Sequence, residues 1–197
     1  MPRLIALTGA GLALAATASL WSLGGALFSF HMTQHLLLIV LAAPLLVLGG
    51  IELRVPPLVG WTAFVGIFLA WHWPAAFQWA ARYPVPQFLE LATILVSAWA
   101  FWTAALGNGP FNGGARALLV MTAAVLTDLP GVVMLFAPRA ICTMPHENAA
   151  AWGLTPLEDQ QIAGLLMWVP ANLVFFGVAT FLFARWLRSS DHPVVTS

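Results

Sequence analysis

Polar residues along the chain fall into clusters, and between them lie six apolar runs, each long enough to cross about 30 Å of hydrocarbon as a helix. The runs are predicted at about Leu4 to Trp21, His31 to Gly50, Pro57 to Ala80, Pro86 to Leu106, Arg116 to Ala137 and Asp159 to Leu187. The connections carry the helix breakers: Gly24-Gly25, Pro56-Pro57, Pro84 and Pro86, then Gly107-Asn108-Gly109-Pro110 and Gly113-Gly114. The pattern predicts an all-α, polytopic transmembrane helical bundle of about six spans. It forms one membrane domain over residues 1–188, followed by a short polar tail, 189–197, with no soluble domain, linker or internal repeat. Met1-Pro2-Arg3 ahead of an apolar stretch resembles a signal peptide, but the stretch exceeds the usual apolar core of about 7 to 15 residues. An uncleaved first helix is therefore expected.

Composition agrees with the runs. Hydrophobic residues make up 61% of the chain and charged ones 7%, with a mean hydropathy of +0.90, whereas in a soluble domain roughly a quarter of residues are charged. The lipid bilayer is thus the first expected partner. Seven basic residues, all Arg, balance seven acidic ones, so nothing in the charge points to nucleic acid. Placing the amino terminus in the cytoplasm puts Arg3, Arg54, Arg116, Arg185 and Arg188 inside and leaves Arg82 and Arg139 outside. With six spans both termini are then cytoplasmic.

That orientation gathers the reactive side chains on the outer face. His31 and His35 stand four apart at the start of the second run, so in a helix both imidazoles share one side and can reach a single ion. His72 lies in Trp71-His-Trp-Pro74 at the outer end of the third run, and Cys142, Met144 and His146 occupy the last outer loop. His192 is read as a solvated residue of the tail. Imidazole, thioether and thiolate are donors that copper accepts. Each has an ordinary reading as well: interfacial histidines satisfied by water, lipid headgroups or a neighbouring helix, His72 in an aromatic belt, Met144 and Cys142 as core filling. Asp128 sits inside the fifth run ahead of Pro130-Gly131, where a carboxylate needs a partner or a wet cavity. Thr155 with Glu158 reads as a helix start, and Asp159 either serves that start or faces the histidines. The single cysteine rules out an internal disulfide and a Cys-x-x-Cys site.

His-Met-x-Gln-His-Leu-Leu-Leu at 31–38, Ala-Pro-Leu-Leu-Val-Leu-Gly at 43–49, Trp-His-Trp-Pro at 71–74 and Leu-Thr-Pro-Leu-Glu-Asp-Gln-Gln-Ile-Ala-Gly-Leu-Leu-Met-Trp at 154–168 together resemble the CtaG family of multi-span cytochrome oxidase assembly proteins. The resemblance implies a bacterial inner-membrane protein, not an enzyme, that helps build a caa-type cytochrome c oxidase at the step where copper enters. Its partners would be oxidase subunits, with copper chaperones as further candidates. Copper would be held by His31, His35 and His72 with Asp159, Met144 or His146, and Asp128, Glu90 and Cys142 would be outer supports or alternative ligands. The chain departs from the family where the fourth span begins: a histidine is expected there, and this chain has Gln87-Phe-Leu-Glu90, a harder donor. Relatives with an additional span leave room for a seventh. Other classes remain open: a membrane protein using two histidines as axial haem ligands, a small permease along Asp128, Glu90 and the histidines, and a metal-free scaffold.

Overall fold

A computed structural model describes residues 1–21, 26–142, 144 and 148–190, and among these the regular structure is entirely helical. The helices are α1 (Pro2–Ser19), α2 (Phe28–Leu36), α3 (Ala43–Leu48), α4 (Pro57–Trp71), α5 (Pro74–Arg82), α6 (Pro84–Leu106), α7 (Gly113–Phe136) and α8 (Pro156–Ser190). A π-helical stretch, Leu37–Ala42, joins α2 to α3 without a break, and a 3-10 turn, Ala149–Trp152, precedes α8. Among the described residues four helices are long and apolar enough to cross a membrane: Phe28–Leu48, Pro84–Leu106, Gly113–Phe136 and Pro156–Ser189. The bent pair α4 and α5 makes a fifth if counted as one span. Helix α1, with 18 residues and Arg3 in its first turn, is not among them, so the expected count of six rests on that helix.

The third expected run is not one continuous helix. It breaks after Trp71 and turns by 74° into α5. Pro74 has no amide proton to continue the ladder, and it forces Trp73 into an extended conformation (φ −67°, ψ 131°).

Outer and inner faces are sorted as lipid requires. Helix α1 buries Ala6, Ala10, Ala13 and Thr17, small residues on one stripe, and presents Leu4, Ile5 and Leu12 outward. Helices α7 and α8 form the most extensive pair, meeting where Gly131 faces Gly164; a Cβ on Gly164 would stand 2.6 Å from the Gly131 carbonyl oxygen, so only glycine permits this approach. Between the helices an aromatic core stacks Phe64, Phe101 and Phe175 and encloses Trp102. The Trp102 indole donates to the Ile39 carbonyl at 2.7 Å, a backbone acceptor in the π-helical stretch, where wider turns leave carbonyls available to other elements.

The bundle has two chemically distinct ends. At one, Glu52 accepts from the Asn108 backbone and side chain (3.0 Å each), and Arg116 donates to Gly107, Gly109 and Phe111 carbonyls. Arg3 lies beside Gly50, and Trp186 of α8 packs on Gly113 and Gly114, so both termini of the described chain are at this end, with five of the seven arginines. The other end carries α5, the start of α2, α6 and α8, and His31, His35 and His72.

Candidate metal centre

Helix α2 presents His31 and His35 one turn apart, their ring centroids 4.7 Å from each other, as the four-residue spacing predicts. Opposite them, the first third of α6 supplies Glu90. Its two oxygens stand 3.3 Å from His31 Nε2 and 3.4 Å from His35 Nε2. These side chains are at most 2% exposed. Among the described residues, His31, His35 and Glu90 form the one group of three or more His, Cys, Asp or Glu side chains with ligand atoms within 4.8 Å of one another. Glu90, which the sequence offered as an alternative, is therefore central to the cluster.

His72 adjoins it. As the residue that ends α4, it stacks on Phe68 (centroids 4.1 Å apart), and its ring lies 5.4 Å from that of His35. His72 Nδ1 is 2.7 Å from the Phe68 carbonyl. A carbonyl only accepts, so Nδ1 carries the proton and donates, which leaves Nε2 as a lone-pair donor to any ion. That Nε2 is buried and has no hydrogen-bond partner.

The polar accounting is lopsided. Eight buried side-chain nitrogen and oxygen atoms in the described residues lack a hydrogen bond, and seven of them belong to His31, His35, His72 and Glu90. The eighth, Gln34 Oε1, is on the same helix; the Gln34 amide donates to the Thr17 carbonyl and ties α2 to α1. The Glu90 contacts are at ion-pair distance without hydrogen-bond geometry. Removing a carboxylate from water costs on the order of several kcal/mol, so an ionised Glu90 calls for a positive partner in place, either a proton on an imidazole or a cation.

Two adjacent residues of α8 hold the surroundings. Asp159 does not join the cluster. Its Oδ2 accepts from the Phe28 amide at 2.6 Å and its Oδ1 from the Ser29 amide at 3.1 Å, so it caps the helix that bears the histidines. Expected as a ligand, it is instead a carboxylate occupied by backbone. The start of α8 is served by the expected pair: Glu158 accepts from the Thr155 amide at 2.8 Å and hydroxyl at 2.9 Å, and Thr155 returns an acceptor to the Glu158 amide. Gln160 was not singled out by the sequence, yet it accepts from the Ile141 and Cys142 amides at 2.6 and 2.9 Å and donates to the Met134 carbonyl at 3.0 Å. The one signal for it is a polar pair, Asp159-Gln160, leading into an apolar run, with both side chains fully buried.

Of the remaining candidates, Asp128 and Cys142 stand outside the cluster. Asp128 pairs with Asn172, whose amide is 3.0 and 2.9 Å from its two oxygens, and so links α7 to α8 rather than supporting the histidines. Cys142 and Met144 are buried in the main hydrophobic core, where the apolar surroundings push the Cys142 thiol up to about 11. His146 and His192 lie outside the described residues.

A family model described as cytochrome c oxidase caa3 assembly factor matches residues 51–189. The matched stretch contains His72, Glu90 and Asp159 and begins after His31 and His35. No curated protein and no solved structure matches the chain.

Proposed function

The chain belongs to the family of cytochrome c oxidase caa3 assembly factors, and from that premise we propose that it carries copper as cargo on His31, His35 and Glu90, with His72 completing the set, and passes it to an oxidase subunit. The observation that supports this reading is the convergence of seven unpartnered ring and carboxylate atoms in one buried place. Unpaired buried polar atoms are individually costly, and a cation accepted by the Nε2 lone pairs and the carboxylate would relieve several of them together. Imidazole binds copper as it binds zinc, iron and nickel, and it is the oxidase-assembly family that favours copper among them; donors drawn from three helices, α2, α6 and the end of α4, would make an exchangeable site rather than a closed cage.

The arginine distribution supports a bacterial inner-membrane orientation in which this end faces the periplasm. The oxidase subunit and any copper chaperone would meet the protein there. The role is delivery rather than catalysis. Haem ligation has less support. His31 and His35 share one helix, and the cavity beside His35, lined also by Phe64, Phe68 and Met167, has a volume of about 30 Å³, room for one water.

Elemental analysis of protein purified from its native membrane tests the reading, comparing wild type with Glu90→Gln and with the His31→Ala, His35→Ala pair. Near-stoichiometric copper in the wild type, lost from the double variant and reduced in Glu90→Gln along with assembled oxidase, is the expected result. Oxidase that assembles normally with a copper-free protein overturns delivery and leaves the scaffold; a haem absorbance band would replace copper with haem.

A further inference from the structure

The cluster is sealed, so any ion that enters or leaves needs part of the bundle to move, and the elements around it are held in unequal ways. Helix α8 is bonded to α2 through both oxygens of Asp159, and α1 is bonded to α2 through Gln34. Helix α6 is a continuous span of 23 residues that packs on α3, α4 and α5. Helix α5 is different. It has nine residues and is set off by a 74° bend before Pro74 and by extended Tyr83 (φ −132°, ψ 134°) before Pro84, two places where the helical ladder stops. Its buried residues are Phe77 and Ala80. The Phe77 ring sits edge-on against both Phe28, at 4.9 Å, and His31, at 5.8 Å. On its other side Trp79 is half-exposed and stacks on Trp71 of α4 (centroids 6.2 Å apart), a contact the first break must give up if α5 moves. Trp73 and Tyr83 at its two ends are 70% and 56% exposed, the amphipathic rings that settle a short helix at a membrane surface.

We propose that α5 is a hinged lid over the His31, His35 and Glu90 cluster, latched by Phe77, and that metal loads and leaves when α5 swings about its two breaks. The inference rests on the metal-handling reading above. His72 lies inside the first break, next to His35, so the same movement shifts the fourth donor and couples lid position to coordination.

Two measurements decide it. Cuprous ion presented on a chromophoric chelator to the purified protein should load about tenfold or more faster into Phe77→Ala than into wild type, because an apolar latch worth a factor of that size has been removed, with stoichiometry unchanged. Equal loading rates at equal stoichiometry overturn the lid. The second measurement needs no variant and keeps the test open if Phe77→Ala fails to fold. In wild-type protein, amide hydrogen exchange in α5 should be faster than in α2 and α6, and bound copper should slow it. An α5 as protected as α6, and unchanged by copper, overturns the lid. Failure of wild type to take up copper at all would instead count against the cargo reading, and exchange in α5 would still report whether the lid opens.

Discussion

Burial decides what the individual side chains can do. His31, His35 and Glu90 are kept from water and from conventional hydrogen bonds, which makes them available to an ion; Asp159, equally buried, is fully engaged with backbone and is not. Cys142 shows the same logic in a loop between spans. A thiolate is the reactive form, and apolar burial holds this thiol near 11 against an ordinary value of 9.0. Raising the value means less thiolate at any pH below it, so at pH 8 the folded protein should hold about 100-fold less Cys142 thiolate than the unfolded chain, and at pH 9 about 50-fold less. Alkylation followed by mass spectrometry should therefore be slow in folded protein, speed up as pH approaches 11, and become fast at pH 8 once the protein is unfolded. Rapid labelling of the folded protein at pH 8 would show that the thiol is not in the core.

Among the elements, α2 is the one on which the site depends most, and its amino terminus is anchored from a residue 131 positions away in sequence. Replacing Asp159 with Ala leaves the Phe28 and Ser29 amides buried without acceptors, a loss of about 2 kcal/mol or more. The expected outcome is a lower unfolding temperature in detergent. Copper affinity should fall about 10- to 100-fold by competition titration at unchanged stoichiometry, because the helix that aims both imidazoles is loosened. A loss of stoichiometry would mean that Asp159 is itself a ligand. The π-helical stretch immediately after His35 belongs to the same element. It turns the Ile39 carbonyl to Trp102 and so fixes the register between α2 and α6, the two helices that face each other across the site.

For the molecule as a whole, polarity runs from an arginine-rich end, where the termini and Glu52 with Asn108 lie, to the end that carries the donors. The arginine excess predicts that the first end is cytoplasmic. In spheroplasts, a membrane-impermeant maleimide at neutral pH should label Arg139→Cys and spare Asn108→Cys, with little background from Cys142. The reverse pattern would turn the protein over and move the copper reading to the cytoplasmic side.

Much of this was legible in the residues alone. Apart from the third, which breaks into α4 and α5, the apolar runs set the helices to within a few residues, because lipid requires every backbone amide to be satisfied within its own segment. Spacing placed His31 and His35 on one face for the same reason, and Thr155 with Glu158 marked the start of α8. These are local effects. Other features depend on which helices become neighbours. Glu90 stands 55 or more positions from either histidine, and nothing in its own segment distinguishes a central donor from a lone intramembrane carboxylate. The assignment of Asp159 to the α2 amides and of Asp128 to Asn172 was equally hidden, since an acidic residue at a helix start or within a span accepts hydrogen bonds from whatever donor packing brings to it. The break before Pro74 was written in the chain as a proline, but its 74° angle, and the resting of Phe77 on His31, came from the fit of α5 against the end of the bundle. Sequence determines local conformation through short-range sterics and solvent preference, whereas the identity of a long-range partner is settled by packing.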